Sequence, residues 1–244
     1  MNVLIITGGS NGIGKAIAEK YQKEKFTVYS ISRSISEGAS YHQIKTDLSN
    51  RIDAIDALNT VLSKIDLKAA SSLRLINNAG TLGDIHTVGN LDSEKVENTI
   101  QLNTVIPLVL ANEFIRITKN LNCKKHIINI SSGAAVKPYE SWSAYCGSKS
   151  ALDMISKVIA EEQSQLVNGV KCVAIYPGVV DTAMQSTIRA TPRENFSMRQ
   201  RFIDLKEDNA LYATSFVAER IFQIDTDNLL ESGAVIDIRT FQIK

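Results

Sequence analysis

The sequence predicts an α/β fold: a single domain built on a doubly wound parallel sheet of about seven strands, with helices on both faces. Three observations predict it. Short continuous apolar runs alternate along the chain with segments of helical period, as parallel strands buried on both faces do. The first run, Val3 to Ile6, opens into a glycine-rich turn and then a helix. At 244 residues the chain is long enough for one such domain with a full core, and no Pro/Gly-rich linker divides it.

The turn reads Thr7-Gly8-Gly9-Ser10-Asn11-Gly12-Ile13-Gly14, and the helix after it carries Ile13, Ile17 and Tyr21 on one side. A strand, a glycine turn and a helix N-terminus make an anion site. Backbone N–H groups and the positive helix end face the ligand, and glycines let a pyrophosphate approach the backbone. The G-x-x-x-G-x-G spacing differs from the common G-x-G-x-x-G fingerprint, and a ligand-free βα turn would share part of it. The strand before and the helix after favour a dinucleotide.

The second strand, Phe26 to Ile31, ends in Ser32-Arg33-Ser34. An NAD site usually carries an acidic residue about 20 positions after the turn. Arg33 offers instead a guanidinium able to bond a 2′-phosphate, so the reading is NADP(H), with Glu37 nearby as a possible spoiler. Ile44 to Leu48 is read as a third strand whose carboxylate, Asp47, suits an adenine amino group. Asn50 to Leu67 is helical. Leu73 to Ile76 is a strand ending in Asn77-Asn78-Ala79-Gly80, small and amide residues at the strand end where such sheets bind ligands.

Leu91 to Lys119 holds two helical stretches meeting near Asn103 and Pro107, where a proline begins or kinks a helix and Asn103 turns inward. The strand His126 to Ile130 delivers Ser131 and Ser132 to the same sheet edge. Ser143 is the expected N-cap of the next helix, which runs on through Glu162. Val170 to Tyr176 is the sixth strand, and Pro177-Gly178-Val179-Val180-Asp181-Thr182 follows it. From about 181 to 209, Met184, Phe196, Met198 and Phe202 lie among Arg, Gln and Ser without a strong period. That stretch is read as a partly helical flap over the site. A helix from Ala210 to Phe222 and a strand from Ala234 to Ile238 complete the pattern.

Within this frame Tyr145 and Lys149 stand four residues apart, one above the other on a helix. A free phenol is a poor acid at neutral pH, and an ammonium beside it favours the phenolate. Ser132 supplies a hydroxyl that would hold a carbonyl oxygen before the phenol. Tyr and Lys at this spacing also occur on many solvated helices, so the pair gains meaning from the nucleotide site. Trp142, one turn earlier, is read either as an aromatic wall or as core packing.

Composition excludes other classes. With 27 basic and 26 acidic side chains the net charge is +1, so nothing argues for nucleic acid or an anionic membrane surface. No run is read as reaching the roughly 18–20 apolar residues of a membrane span. Cys123, Cys146 and Cys172 are odd in number and scattered, and His42, His86 and His126 stand isolated. The expectation is a reduced cytoplasmic protein without a metal site, and its N-terminus shows no leader pattern.

TGGSNGIG, NNAG, the Asn103 helix, Ser132 thirteen residues before Tyr145, YCGSK and PGVVDT together resemble, in order, the motif set of the classical short-chain dehydrogenases/reductases. The resemblance covers essentially the whole chain, 1–244, and implies one NAD(P)-binding Rossmann-type domain. It implies a tetrad in which Tyr145 is the general acid/base and Ser132 orients the carbonyl. Lys149 would ease the phenol's ionisation and bond the nicotinamide ribose, and Asn103 would hold a relay water. It further implies cofactor contacts from Gly8, Ser10, Asn11, Gly12, Ile13 and Gly14, from Arg33 and Ser34, and from Asp47 and Leu48. Asn78, Ala79 and Gly80 would pack near the adenosine ribose, Val180 and Thr182 would contact the carboxamide, and Pro177 and Gly178 would join the cofactor contacts. KPYESWSAYCGSKSALDM, PGVVDTAMQSTIR and SGAVIDIR are similar to sepiapterin reductases and to benzil reductases that form (S)-benzoin. That similarity implies a substrate contact from Asp237, although Asp237 reads equally as an exposed strand-end carboxylate; Ser132, Tyr145, Trp142 and the flap residue Met184 complete the expected substrate contacts. The implied function is NADPH-dependent reduction of a ketone, an α-dicarbonyl, by a homodimer or homotetramer. A 3-oxoacyl-thioester reductase and a non-catalytic NADP-sensing protein are the alternatives.

Overall fold

Strands β1 (Asn2–Thr7), β2 (Thr27–Ser32), β3 (His42–Lys45), β4 (Ser72–Asn77), β5 (Lys124–Ile130), β6 (Lys171–Tyr176) and β7 (Val235–Asp237) form one sheet in the computed structural model, which describes residues 1–240. The order is β3-β2-β1-β4-β5-β6-β7 and every pairing is parallel. The chain first winds from β1 out to β3, then returns past β1 to β4 and onward. The crevice where the winding reverses therefore opens at the carboxyl ends of β1 and β4.

Alternation of side chains along each strand splits the core in two. Val3, Ile5, Leu73 and Leu75 face α2 (Arg51–Ser63), α4 (Ile106–Thr118) and α5 (Ser143–Ser164). Leu4, Ile6 and Ile76 face α1 (Gly12–Lys23) and α8 (Thr214–Thr226). Each such buried aliphatic side chain contributes roughly 1.5–3 kcal/mol. That explains why β1 reads as an unbroken apolar run instead of an alternating one.

Several boundaries differ from the sequence reading. β3 begins earlier and ends at Lys45, because the Asp47 carboxylate accepts from the Ser49 backbone N–H (3.0 Å) and hydroxyl (2.8 Å) and turns the chain out of the sheet. α2 is capped by Asn50, whose side chain accepts from the N–H groups of Ile52 and Asp53, but it ends at Ser63, before a 3-10 turn at Leu67–Ala69. Ser143 is the first residue of α5 and not its cap; Trp142 holds that position without a side-chain bond. Helix α3 (Ser93–Ile100) runs into α4 through a wide π-helical turn, Gln101–Val105. Together they make a helical stretch from Ser93 to Thr118, long and apolar enough by length and composition to cross a membrane. Its apolar side, with Ile106, Leu110 and Phe114, is packed against the sheet in the core. The segment 181–209 is more ordered than its composition suggests: it forms α6 (Ala183–Ala190) and α7 (Arg199–Glu207).

Candidate active site

The glycine turn is shaped by close approach. Gly8 and Gly12 have φ of +70° and +54°, the left-handed region that favours glycine. A side chain at Gly14 would overlap the Gly8 carbonyl and the Asn78 amide. Asn78 ties the end of β4 to this turn, donating to the carbonyls of Thr7 (3.0 Å) and Gly8 (3.1 Å). The Thr7 hydroxyl in turn accepts from the backbone N–H groups of Asn78 and Ala79.

From this turn a cavity of about 460 Å³ runs across the sheet edge. One end is lined by Ser10, Asn11, Ile13, Arg33, Ser34, Asp47 and Leu48. There the Ser34 hydroxyl pairs with that of Ser10 at 3.0 Å, and Arg33 is exposed at the rim. Asp47 stays ionised below the usual carboxylate range, chiefly through its bonds from Ser49, with Arg33 adding to them. The middle is lined by Gly80, Pro177, Gly178, Val180 and Thr182, and the far end by Ser132, Trp142, Tyr145, Lys149 and Met184.

The structure brings the four polar residues of the sequence reading together. α5 places Tyr145 and Lys149 one turn apart, 7% and 6% exposed. The Lys149 ammonium lies 5.9 Å from the Tyr145 ring centre and donates to the Ile130 carbonyl at 2.8 Å. Ser132, just after β5, accepts from the Ala134 N–H at 3.2 Å. The π-helical turn aims Asn103 inward: its amide donates to the Thr81 carbonyl (2.8 Å) and the Ser148 hydroxyl (3.0 Å), and accepts from the Thr81 N–H (2.9 Å). Both amide protons are spent on protein groups, which ties the π-helical turn to α5 and to the strand end before Gly83.

The electrostatics differ from the sequence expectation that Lys149 eases the ionisation of Tyr145. Burial is the dominant influence on both. It pushes the Tyr145 phenol up, with the Ser132 hydroxyl as the group that opposes, and it brings Lys149 down to about 8. Two buried groups each lean toward their neutral forms, because desolvation penalises phenolate and ammonium alike.

Trp142 proves to be wall and core at once. It stacks on Tyr139 (4.9 Å between centres) and Phe196 (5.1 Å), meets Tyr145 edge-on at 5.7 Å, and lines the cavity. Phe202 of α7 joins this cluster. Asp237 is engaged elsewhere: its carboxylate accepts from Arg239, two residues on, through Nε at 2.9 Å and through Nη2. Arg239 and not Asp237 lines the cavity, together with Tyr139, Gln185, Ile188 and Arg201, none of which the sequence reading had singled out. SGAVIDIR did contain the signal for Arg239, a cation two positions from the strand-end acid. Arg201 sits on a segment without a readable period.

Against known proteins, residues 2–193 match the family model described as short chain dehydrogenase. The chain is 36% identical to a benzil reductase ((S)-benzoin forming) of Bacillus cereus over 98% of its own length and 99% of the relative's. It is 29% identical to a sepiapterin reductase of Mus musculus, covering 96% of this chain and 95% of that one. Among solved structures, a short chain dehydrogenase/reductase from Saccharomyces cerevisiae superimposes with a TM-score of 0.84 at 25% identity, covering 98% of this chain and 96% of that one.

Proposed function

The chain belongs to the short-chain dehydrogenase family of oxidoreductases, and from that premise we propose that it is an NADPH-dependent reductase of activated ketones, α-dicarbonyls above all. The observation that carries the reading is buried Tyr145 and Lys149, with half-buried Ser132 beside them, at the far end of a cavity that starts on a glycine cradle. The cradle fits a dinucleotide: the space beside Gly14 is closed to any side chain, and the helix N-terminus after it offers backbone donors to a pyrophosphate. Arg33 at the rim supports the phosphorylated form of the cofactor over the plain one. When bound, the nicotinamide supplies hydride to the carbonyl carbon.

The remaining steps belong to the chain's own side chains. Ser132 holds the carbonyl oxygen within reach of the phenol. Tyr145 gives its hydroxyl proton to that oxygen as negative charge develops there, and its burial keeps the proton in place until then. Lys149 stabilises the phenolate that results. Asn103 fixes the spacing of α4 and α5, so that the three stay in register. The aromatic wall of Tyr139, Trp142 and Phe202 excludes water and offers flat surface to an aryl ketone. α6 and α7 act as the flap that closes over it. The cavity's one carboxylate among the described residues is Asp47, at the adenosine end; the substrate end carries Arg201 and Arg239. That charge pattern supports acceptor-rich substrates such as vicinal dicarbonyls. Exposed Leu108 on α4 and Met154 and Val158 on α5 support assembly of a homodimer or homotetramer through these helices.

The test is a spectrophotometric assay of NADPH and NADH oxidation with benzil, sepiapterin and an acetoacetyl thioester. The diketone should turn over fastest, and faster with NADPH. Faster turnover of the thioester would replace this reading with that of an acyl-chain reductase, and binding of NADPH without turnover of any of the three would replace it with a sensor.

A further inference from the structure

One turn beyond Lys149, on the same side of α5, stands Asp153. It is 7% exposed, its Oδ2 accepts from the Tyr176 hydroxyl, and the Ser131 hydroxyl lies against the carboxylate. Its other oxygen, Oδ1, is buried with no hydrogen-bond partner among the described residues. A carboxylate kept for stability alone is normally satisfied. Asp225, at the opposite end of the sheet, takes Arg74, His126 and Tyr21.

The cations facing Asp153 are Lys149 and Lys157, both on α5; β6 contributes the Tyr176 phenol, and the end of β5 contributes only the Ser131 hydroxyl. Lys149 faces Tyr145 and Asp153 on its own helix, the Ile130 carbonyl at the end of β5, and the neutral Asn103 amide beyond Gly80. Among the described residues, Asp153 is thus the one charge opposing the burial that drives Lys149 toward a neutral amine. On the neighbouring strand Tyr176 lies in register with Asp237, whose carboxylate holds Arg239.

We propose that Asp153 is a positioning residue that acts through Lys149: its half-satisfied carboxylate, gripped by Tyr176, keeps the buried amine protonated and in place behind the phenol. The unmet Oδ1 fits this role, since the carboxylate keeps charge that no cation neutralises by direct contact. Tyr176 steadies the carboxylate and sets its direction. The kinetic half of the test rests on the reductase reading; the titration half does not.

In protein labelled with 13C at lysine Cε, the Lys149 resonance is assigned by its loss in Lys149→Arg and followed from pH 6 to 11. Asp153→Asn should lower the Lys149 midpoint by at least about 0.5 pH unit, since removing a nearby opposite charge disfavours the ammonium. Tyr176→Phe should lower it by less. With saturating NADPH and benzil varied below its KM, the alkaline limb of kcat/KM should move to lower pH in the same order. A merely structural role would depress activity evenly across pH and leave the midpoint alone. A Lys149 midpoint within about 0.2 unit of wild type in folded Asp153→Asn would overturn the proposal. If that variant does not fold, an unmoved midpoint in Tyr176→Phe does the same. A shifted midpoint in a protein that reduces no ketone supports the link between the two residues and removes the reductase reading alone.

Discussion

Two clusters of buried charge occupy opposite ends of the same sheet, and they are built on opposite terms. At the amino end Asp225 of α8 receives Arg74 from β4, His126 from β5 at 2.5 Å and the Tyr21 hydroxyl from α1 at 2.8 Å. Burial pushes its carboxyl up, but His126 and Arg74 outweigh it and hold the group below the ordinary range. At the carboxyl end, among the described residues, Lys149 and Asp153 share no direct bond and one oxygen of Asp153 has no hydrogen-bond partner. The first cluster stabilises the fold by linking α1 and α8 to the sheet. The second opposes folding: an ammonium held at about 8 against an unfolded value near 10.5 is a buried charge short of partners. The two ends show that burial alone does not mark a functional group. On the proposed reading, the working end is the one whose buried charge is incompletely paired.

The largest effect should come from breaking the complete cluster. Asp225→Ala leaves Arg74 buried and unpaired, so urea unfolding should show a loss of about 3–5 kcal/mol while kcat of the surviving folded protein is unchanged. The same linkage has a pH signature. Asp225 is depressed in the folded state, so its contribution is present above the unfolded value of about 3.9 and fades as pH falls through the lower folded value. Wild type should therefore lose stability on acidification below about pH 4, and Asp225→Asn should lose less over that range.

Next in size is Tyr145→Phe, for which turnover should fall at least about 100-fold with NADPH binding and thermal stability retained. Near-normal turnover would move the proton donor elsewhere. Lys149→Met sharpens the contrast most directly. The folded protein binds fewer protons than the unfolded chain between about pH 8 and 10.5, so wild-type stability should rise with pH across that window. At pH 7 the variant should be more stable than wild type by about 1–3 kcal/mol and nearly inactive. A destabilised Lys149→Met would mean that the two ends are built alike. The smallest effect, about 10-fold or more in relative affinity, is expected for Arg33→Asp, which should shift preference from NADPH toward NADH in a fluorescence titration.

Much of the site was legible before any coordinates because its parts are contiguous. Strand, glycine turn and helix lie within residues 2–23, and Tyr145 and Lys149 share one helical face, so local periodicity was enough to find them. The amino-end cluster was illegible for the opposite reason: Tyr21, Arg74, His126 and Asp225 come from four elements spread over more than 200 positions. His126, isolated in sequence, is a hydrogen-bond partner of Asp225 in space. Asp153 was hidden within a helix already assigned to the site, since its neighbours Ser131 and Tyr176 arrive from other strands. Asp237 shows a further limit. A strand-end carboxylate looks available until the next cation along the chain folds back and takes it.

The wide π-helical turn at Gln101–Val105 carries one more consequence. Such a turn accommodates an extra residue within a helix whose flanks keep their faces. A chain one residue shorter there would wind as an unbroken α-helix, with Ile106, Leu110 and Phe114 still against the sheet, while Asn103 would swing away from Thr81 and Ser148. The extra residue therefore serves the placement of Asn103, since the flanking turns pack on the sheet without it.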